Sequence, residues 1–448
     1  MQADHLPSTF LFPGQGAYLA GVFSASRQAF PGIAAELARV DEYSLRAGGP
    51  GVTSLLTDPA SPTLDRLLES DVPALSLAIF ASQIVAARLY REELGLSAAL
   101  LMGHSFGEFA ALVVSGALTL EEGVTLVVAR DRALRASGVS GGMVAIEAGL
   151  RRVEHLVAAT ADSSLAVAAD NAYDQVVVSG AEPAVARLAS VAGALGVKAT
   201  VLRVPYPFHN RRLLGEANEL FARTVATVDP RVPRVDVFSP VLGRRVETPG
   251  DVSEVLSSHL VRPVRFLAAL HEIRGEGVTR FVECGARSTL VDLVNATVAG
   301  TSTSAPFRRR ADDAGVLDEV RRLAPVPVTP AEPRPVEAAF VEPLPTQRDT
   351  SVSIETDDGG GELSAPNVLD ELKTLYADAV GYPADVFETG VELEADLGID
   401  SIRQTELLQR ARQRYDVPEA DHIRITDYTT LESIAGLIVE LKGQGERV

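Results

Sequence analysis

The stretch LMGHSFGEFAA, residues 101–111, decides the fold that we predict for this chain. It follows a short apolar run, contains Gly-x-Ser-x-Gly and leads into a helical pattern. This layout is typical of a nucleophile elbow, in which a strand turns sharply into a helix and two glycines relieve crowding around a strained serine. Ser105 would then lie at a helix N-terminus, where backbone N–H groups stabilise a developing oxyanion. The motif also arises by chance in Gly- and Ser-rich chains, so its weight depends on the other residues.

Length and composition limit the classes of protein that fit. A chain of 448 residues with 46% apolar residues predicts two or three domains with real cores. The net charge of −19 argues against nucleic acid as a partner. The single cysteine, Cys284, excludes an internal disulfide framework and a thiolate metal cage, and no metal site is predicted. Because we find neither a leader pattern nor an apolar run of membrane-spanning length, we expect a cytoplasmic protein without a membrane partner.

The pattern of apolar residues predicts an α/β main body interrupted by a smaller unit. Short strand patterns alternate with longer helical ones, among them predicted helices over residues 73–93, 253–261 and 264–276. Residues 143–204 show the order strand, helix, strand, strand, helix, strand. That order is typical of a ferredoxin-like subdomain, which we place at about residues 138–204.

The composition changes near residue 324. Residues 324–364 are rich first in Pro and then in Gly and carry no apolar periodicity, which predicts a linker. Helical patterns return over residues 367–380, 401–415 and 430–441, and they predict a small acidic bundle. The predicted domains are therefore residues 1–323, the linker 324–364 and the bundle 365–448.

A nucleophilic serine needs a base, and His209 is the candidate. It lies in a loop, PYPFHN, just after the smaller unit. His155 and His271 lie in amphipathic helical patterns and His422 in the terminal bundle, which favours solvated or packing roles for them. His104 is next to the nucleophile and is expected to tune the pocket with its side chain directed away from that of Ser105.

Together these features resemble the malonyl-CoA:acyl carrier protein acyltransferases, both the separate enzymes of fatty-acid synthesis and the acyltransferase domains of polyketide synthases. The resemblance covers about residues 7–300 and depends on FPGQG (12–16), GHSFGE (103–108), Arg130 and His209. It implies a hydrolase-like α/β body with an inserted ferredoxin-like subdomain.

The resemblance also implies roles for individual residues. Ser105 corresponds to the nucleophile and His209 to the general base, while the backbone N–H groups of Gln15 and Phe106 correspond to the oxyanion hole. Arg130 matches the arginine that holds the free carboxylate of the substrate, a task suited to a guanidinium that binds carboxylates bidentately. Taken alone, Arg130 would be interpreted as a surface arginine late in a helix.

Two further segments match family motifs. Asn171 and Gln175 correspond to residues at the edge of the subdomain that position the acyl chain or hold the loop. The segment 259–263 resembles the one whose backbone carbonyl orients the histidine, which explains why no triad aspartate is evident.

The residues before the histidine bear on the choice of acyl group. Phe208 and Phe106 resemble malonyl enzymes, since the bulk of Phe208 would occupy the space that a 2-methyl group needs. Tyr206 instead resembles methylmalonyl enzymes, and Pro207 matches neither pattern. Malonyl is the favoured unit, although one methyl group is worth only about 1–3 kcal/mol in such pockets.

The terminal bundle carries a motif of its own. GYP (381–383) and LEADLGIDSI (393–402) resemble the acyl carrier proteins over residues 366–442. The resemblance implies that Ser401 carries 4′-phosphopantetheine, added by a separate phosphopantetheinyl transferase. A plain helix cap at Asp400 or Ser401 would not explain the whole motif.

These features predict transfer of a malonyl unit from a coenzyme A thioester, through an ester on Ser105, to a carrier thiol in polyketide-type biosynthesis. A ketosynthase or another synthase component would supply the condensation step. A flexible tether of about 40 residues spans roughly 35 Å, so loading of the attached carrier is possible. A thioester hydrolase that uses the same serine, transfer of another acyl group and a non-catalytic docking scaffold are the alternatives.

Overall fold

The computed structural model describes residues 8–321, 365–380 and 430–445, together with isolated positions between 387 and 428. The chain divides into two compact units, Met1–Val326 and Pro327–Val448. The predicted linker 324–364 and the predicted attachment residue Ser401 lie outside the described residues, as does His422.

Among the residues that the structure describes, the strands all belong to the first unit. In chain order they are β1 Ser8–Phe12, β2 Ala98–Gly103, β3 Gly142–Ile146, β4 Ala166–Ala172, β5 Gln175–Gly180, β6 Ala199–Leu202, β7 Asp236–Ser239, β8 Arg244–Arg245, β9 Val264–Arg265, β10 Arg280–Glu283 and β11 Ser302–Ser304.

Helices separate most of these strands, as the alternating pattern predicted. They are α1 Pro31–Arg46, α2 Thr53–Thr57, α3 Leu64–Ser70, α4 Val72–Arg88, α5 Gly107–Val114, α6 Leu120–Ser137, α7 Leu150–Thr160, α8 Glu182–Ala194, α9 Arg211–Val225, α10 Pro249–Ser258, α11 Phe266–Gly275, α12 Thr289–Thr297, α13 Asp313–Arg321, α14 Ala365–Val380 and α15 Leu431–Gly445. A π-helical turn, Leu89–Glu93, continues α4.

The main sheet has the strand order β11-β10-β1-β2-β7-β8 and is parallel except for the β7–β8 pair. Its central strands are buried on both faces, as expected for a parallel sheet covered by helices. Phe10 and Phe12 pack into one core cluster, whereas Leu11, between them, packs into the cluster on the other side. Because β1 and β2 are parallel neighbours, the loops that follow Phe12 and Gly103 start side by side.

The second sheet is formed largely by the segment between α6 and α9. Its order is β6-β3-β5-β4-β9, with antiparallel pairs except for β4 and β9. One face packs on α7 and α8 through side chains such as Val144 and Val178, and Met143 and Val177 on the other face join a core cluster of the main body. The end of β4 is thereby fixed against the body.

The boundaries of two predicted helices are wrong. The helix predicted over 264–276 starts at Phe266, because Val264 pairs with Ala169 of β4 as a short edge strand. The helix predicted over 253–261 starts at Pro249, because Thr248 and Asp251 form a reciprocal capping box there.

The expectation about apolar runs also needs correction. The helix Val72–Glu93 is long and apolar enough, by length and composition alone, to cross a membrane. However, 83% of its apolar window is buried inside the protein, and the side chains of Phe80 and Ile84 belong to the main core. This is the pattern of a central helix in a large core.

The second unit has a hydrophobic core of its own. Val368, Leu372 and Tyr376 of α14 lie in one buried cluster with Ile434 and Ile438 of α15. These two helices match the predicted helices 367–380 and 430–441 to within a few residues.

Candidate active site

Ser105 lies on a sharp turn between β2 and α5. Its φ of 54° is in the left-handed region, which a non-glycine residue rarely adopts. The two glycines of the motif are needed for close approach of the backbone. A Cβ on Gly107 would lie 1.9 Å from the carbonyl oxygen of Phe12, and one on Gly103 would lie 2.3 Å from the amide of Glu108. Any larger residue at either position would displace the turn.

Ser105 Oγ lies 2.6 Å from Nε2 of His209. The other ring nitrogen, Nδ1, lies 2.6 Å from the carbonyl oxygen of Arg262. Since a carbonyl can only accept, Nδ1 carries the proton and Nε2 accepts from the serine hydroxyl. Arg262 falls in the segment 259–263, where the sequence predicted an orienting carbonyl.

The imidazole of His209 is held neutral and in a fixed orientation. Its side chain is 4% exposed, and its φ of 60° is again left-handed. Burial lowers the pKa of His209 to about 3, with smaller contributions in the same direction from His104 and Arg130. A neutral imidazole is the form that can take a proton from Ser105 at ordinary pH.

A second buried histidine, His259, lies next to the first. The ring centroids of His259 and His209 are 5.9 Å apart, and the His259 ring also packs edge-on against Phe109. Burial lowers the pKa of His259 well below its usual value. A neutral imidazole, that of His259, therefore packs beside His209.

Two backbone N–H groups have no hydrogen-bond acceptor among residues 8–321, one directly after Ser105 and one in the loop whose Gly14 approaches Ser105. They belong to Phe106, just before α5, and Gln15, in the loop after β1. The amide of His104 donates to the carbonyl of Phe12 at 2.8 Å and holds the two loops together. The Gln15 side chain is anchored separately, with Nε2 donating to Ser76 Oγ at 3.0 Å.

Arg130 is buried in α6 rather than placed on the surface, so the surface interpretation of this residue alone is wrong. Its side chain is 1% exposed. Its guanidinium carbon lies over two rings, 5.0 Å from the centroid of Phe106 and 4.9 Å from that of Phe208. These rings belong to the residues that follow Ser105 and precede His209, so Arg130 lies close to both reacting groups.

The counter-ion of Arg130 is the next residue, Asp131. Nη1 of Arg130 donates to Oδ1 of Asp131 at 3.1 Å, and the Asp131 side chain is 3% exposed. Arg130 Nε and Asp131 Oδ2 have no hydrogen-bond partner in the described part of the chain. Burial raises the pKa of Asp131 to about 6, against the opposing effect of the Arg130 charge.

The remaining predicted pocket residues fall into two groups. His104 Nε2 lies 2.7 Å from Asn171 Oδ1 at the end of β4, and Asn171 Nδ2 donates to Gln175 Oε1 at 3.1 Å. These two hydrogen bonds join the turn at Ser105 to the second sheet. Tyr206 packs edge-on against Phe208, with their ring centroids 5.8 Å apart.

Sequence reasoning missed three buried residues that support the site. Asp131 is one. Asn210 caps α9 through Leu213 and donates to the carbonyl of Ser164, fixing the loop that carries His209. An Asn directly before a helical pattern is a usual signal for such a cap.

The third is Glu108, in the first turn of α5. Its carboxyl group accepts hydrogen bonds from Ser239 Oγ at 2.8 and 3.0 Å and from the amide of Val241 at 3.1 Å. Burial raises the pKa of Glu108 to about 8. The elbow helix is thereby tied to the end of β7. Among the described residues, no group of three or more His, Cys, Asp or Glu side chains is placed to hold a metal ion.

Comparison with known proteins agrees with this geometry. Residues 9–323 match the family model described as the acyl transferase domain. The chain belongs to the acyl transferase domain family. Residues 370–438 match a second model, the phosphopantetheine attachment site, so this acyltransferase is joined to a carrier region whose prosthetic group is phosphopantetheine.

The relatives of this acyltransferase are polyketide synthases. It is 32% identical over 314 residues to a conidial pigment polyketide synthase of Pestalotiopsis fici, which covers 67% of this chain and 14% of that protein. It is 32% identical over 298 residues to an erythronolide synthase of Saccharopolyspora erythraea, covering 66% of this chain and 8% of that protein. The matched part is thus a small fraction of these relatives.

Solved structures resemble the first unit. The acyltransferase domain from the second module of the salinomycin polyketide synthase has a TM-score of 0.61 at 30% identity, covering 70% of this chain and 72% of that one. The malonyl CoA-acyl carrier protein transacylase from Coxiella burnetii has a TM-score of 0.63 at 26% identity, covering 71% of this chain and 99% of that one. The predicted family and enzyme class are confirmed.

Proposed function

We propose that this acyltransferase moves a malonyl unit from coenzyme A to the thiol of an acyl carrier protein, its own included, through an ester on Ser105. The observation that carries the proposal is a buried guanidinium, Arg130, over the rings that flank the Ser105–His209 pair. A reactive serine beside a fixed cation suits an acyl group that bears a carboxylate at its far end.

In the loading step, His209 Nε2 takes the hydroxyl proton of Ser105 while Oγ attacks the thioester carbonyl carbon. The amides of Gln15 and Phe106 donate to the oxyanion, and each such donor is worth roughly 10²–10³ in rate. When the carbon–sulfur bond breaks, His209 returns the proton to the leaving sulfur. An ester on Ser105 and free coenzyme A result.

In the transfer step, the same groups work in reverse. His209 takes the proton of an acceptor thiol, and the thiol sulfur then attacks the ester carbonyl within reach of the same amides. As the ester bond breaks, His209 returns the proton to Ser105 Oγ. Phosphopantetheine, when attached to the carrier, supplies this acceptor thiol, and we propose Ser401 as its attachment residue.

Further parts of the proposal concern specificity and organisation. Arg130 holds the malonyl carboxylate, and Phe208 and Tyr206 line the space next to it. His104, Asn171 and Gln175 hold the turn against the second sheet, whose order β6-β3-β5-β4 supports a ferredoxin-like insert at about residues 138–204.

We further propose a cytoplasmic enzyme with the domains 1–323, 324–364 and 365–448. A phosphopantetheinyl transferase and a ketosynthase or other synthase component would be its partners.

The proposal is tested by intact-protein mass spectrometry on the pantetheinylated full chain. The protein is mixed with malonyl-, methylmalonyl- and acetyl-CoA in competition, beside the variants Ser105→Ala and Ser401→Ala. We expect a malonyl mass on the pantetheine arm that is lost in either variant. Ser190→Ala, on an exposed position of α8, is a matched control and should load like the wild type.

Other outcomes would change the proposal in defined ways. Malonyl on Ser105 that never reaches the arm would assign the acceptor to another protein. Release of free malonate without any carrier-bound product would favour a thioester hydrolase. Absence of acyl groups on Ser105 from all three donors would contradict the proposed enzyme.

A further inference from the structure

We propose that Asp131 is a specificity-determining residue: it is a built-in carboxylate that occupies Arg130 and must share it with the carboxylate of the acyl group. The inference rests on the proposed function, since it concerns the group that Arg130 binds. In this role, Asp131 lowers the affinity of the enzyme for acyl groups that carry a carboxylate.

The geometry of the pair supports this role. The Arg130 guanidinium donates to Asp131 through Nη1, while its Nε has no hydrogen-bond partner in the described part of the chain. On the acid, Oδ1 accepts from Arg130 and Oδ2 is likewise without a partner there. An unpaired N–H on a fully buried ion pair is costly, and an incoming carboxylate that accepts from Nε would satisfy it.

The balance of charge decides the direction of the effect. The buried pair is neutral overall, so a malonyl carboxylate brings one excess negative charge next to it. The excess is removed when Asp131 takes a proton from solvent. Asp131 lines a cavity of about 170 Å³, together with Arg135, Asp71 and other residues. This cavity offers a path for the proton.

The groups around Asp131 come from three elements. Arg130 and Arg135 lie on its own helix, α6, and their charges favour the ionised acid. Asp71, which caps α4, lines the same cavity, and the hydroxyl of Ser76 in α4 lies next to Asp131, where it also favours the ionised acid. Tyr206 faces it from the loop before His209, where burial followed by the Asp131 charge raises the pKa of that phenol. Burial outweighs the two arginines and leaves the pKa of Asp131 at about 6.

The test compares two acyl groups that differ in the carboxylate. Full-length protein carrying Ser401→Ala keeps the ester on Ser105, and initial loading from equal malonyl-CoA and acetyl-CoA is measured by mass spectrometry. Both donors use Ser105 and His209, so any change in the rate of the shared chemical step affects them equally. The ratio of malonyl to acetyl loading therefore reports only on recognition of the acyl group. The variants are Asp131→Asn and a matched control, Asp236→Asn, which removes an exposed partner of Arg245.

We expect Asp131→Asn to raise the malonyl-to-acetyl ratio about tenfold near pH 7.5, where Asp131 is ionised in the wild type. The wild-type ratio should fall as the pH rises from about 5.5 to 7.5, and the Asn variant should show no such fall. Asp236→Asn should match the wild type. An unchanged or lower ratio in Asp131→Asn would overturn the proposal, because a residue that only positions Arg130 would give that result.

Two further arms keep the result unambiguous. If Asp131→Asn does not fold, the wild-type ratio alone decides, and a ratio that is constant with pH overturns the proposal. Arg130→Ala separates the two proposals. If this variant leaves the ratio unchanged, the proposed function fails. If Arg130→Ala strongly lowers the malonyl-to-acetyl ratio while Asp131→Asn does not raise that ratio, only the role of Asp131 fails.

Discussion

Two side-chain pairs lie close together in the first unit, and they are built differently. The Ser105–His209 pair is fully connected: the hydroxyl, both ring nitrogens and the carbonyl of Arg262 form one hydrogen-bonded chain. The Arg130–Asp131 pair leaves one donor and one acceptor without partners. The first pair is organised before substrate arrives, whereas the second keeps a donor, Arg130 Nε, that we propose a carboxylate ligand pairs with.

This difference suggests separate roles: the Ser105–His209 pair for the reaction and the Arg130–Asp131 pair for the choice of acyl group. A base held by a backbone carbonyl acts on any thioester, whatever its acyl group. We propose that a guanidinium with an unpaired N–H distinguishes acyl groups that carry a free carboxylate from those that do not. Changes to the first pair should therefore affect all donors equally, and changes to the second should affect their ratio.

The largest expected effect is on the first pair. Replacing His209 by Ala should slow loading of Ser105 by about 10²–10⁴-fold for malonyl-CoA and acetyl-CoA alike, because the proton of the serine then has no acceptor. The rates are measured by rapid-quench mass spectrometry. His155→Ala, on an exposed position of α7, is the matched control and should load at the wild-type rate. Loading within a few-fold of wild type in His209→Ala would assign the base elsewhere.

A smaller and selective effect is expected at the second pair. Arg130→Ala should slow malonyl loading by about 10–100-fold, the worth of hydrogen bonds to a charged group, and leave acetyl loading nearly unchanged. Arg132→Ala, an exposed arginine two residues on in the same helix, is the control.

The single Arg130→Ala variant leaves Asp131 buried without its partner, which destabilises the fold. The double variant Arg130→Ala/Asp131→Asn removes both charges and keeps the measurement possible. Equal losses for both donors in either variant would contradict a separate selecting pair.

Local sequence was sufficient to predict the turn at Ser105. Gly103 and Gly107 are required by contacts of under 3 Å, and such a requirement appears directly in the motif. The main α/β alternation was also predictable, because buried strands and amphipathic helices have different apolar periods. Strands of two or three residues, such as β8, β9 and β11, are too short to show any period and were missed.

Other features depend on tertiary contacts that no local pattern records. Adjacent residues on a helix do not normally face each other, so the sequence gives no reason to pair Arg130 with Asp131. They meet because the neighbouring rings and α4 bury both side chains at one place. In the same way, the left-handed backbone of His209 follows from the packing of its loop and has no sequence signature. The role assigned to each site residue stays a prediction until it is tested.

The proposed function is tested most directly by a crystal structure of the full chain with Ser105→Ala and malonyl-CoA bound. The proposed function predicts the thioester carbonyl oxygen within about 2.7–3.2 Å of the Gln15 and Phe106 amide nitrogens. It also predicts the malonyl carboxylate at hydrogen-bond distance from the Arg130 guanidinium. A carboxylate directed to solvent, with Arg130 still paired only to Asp131, would contradict it.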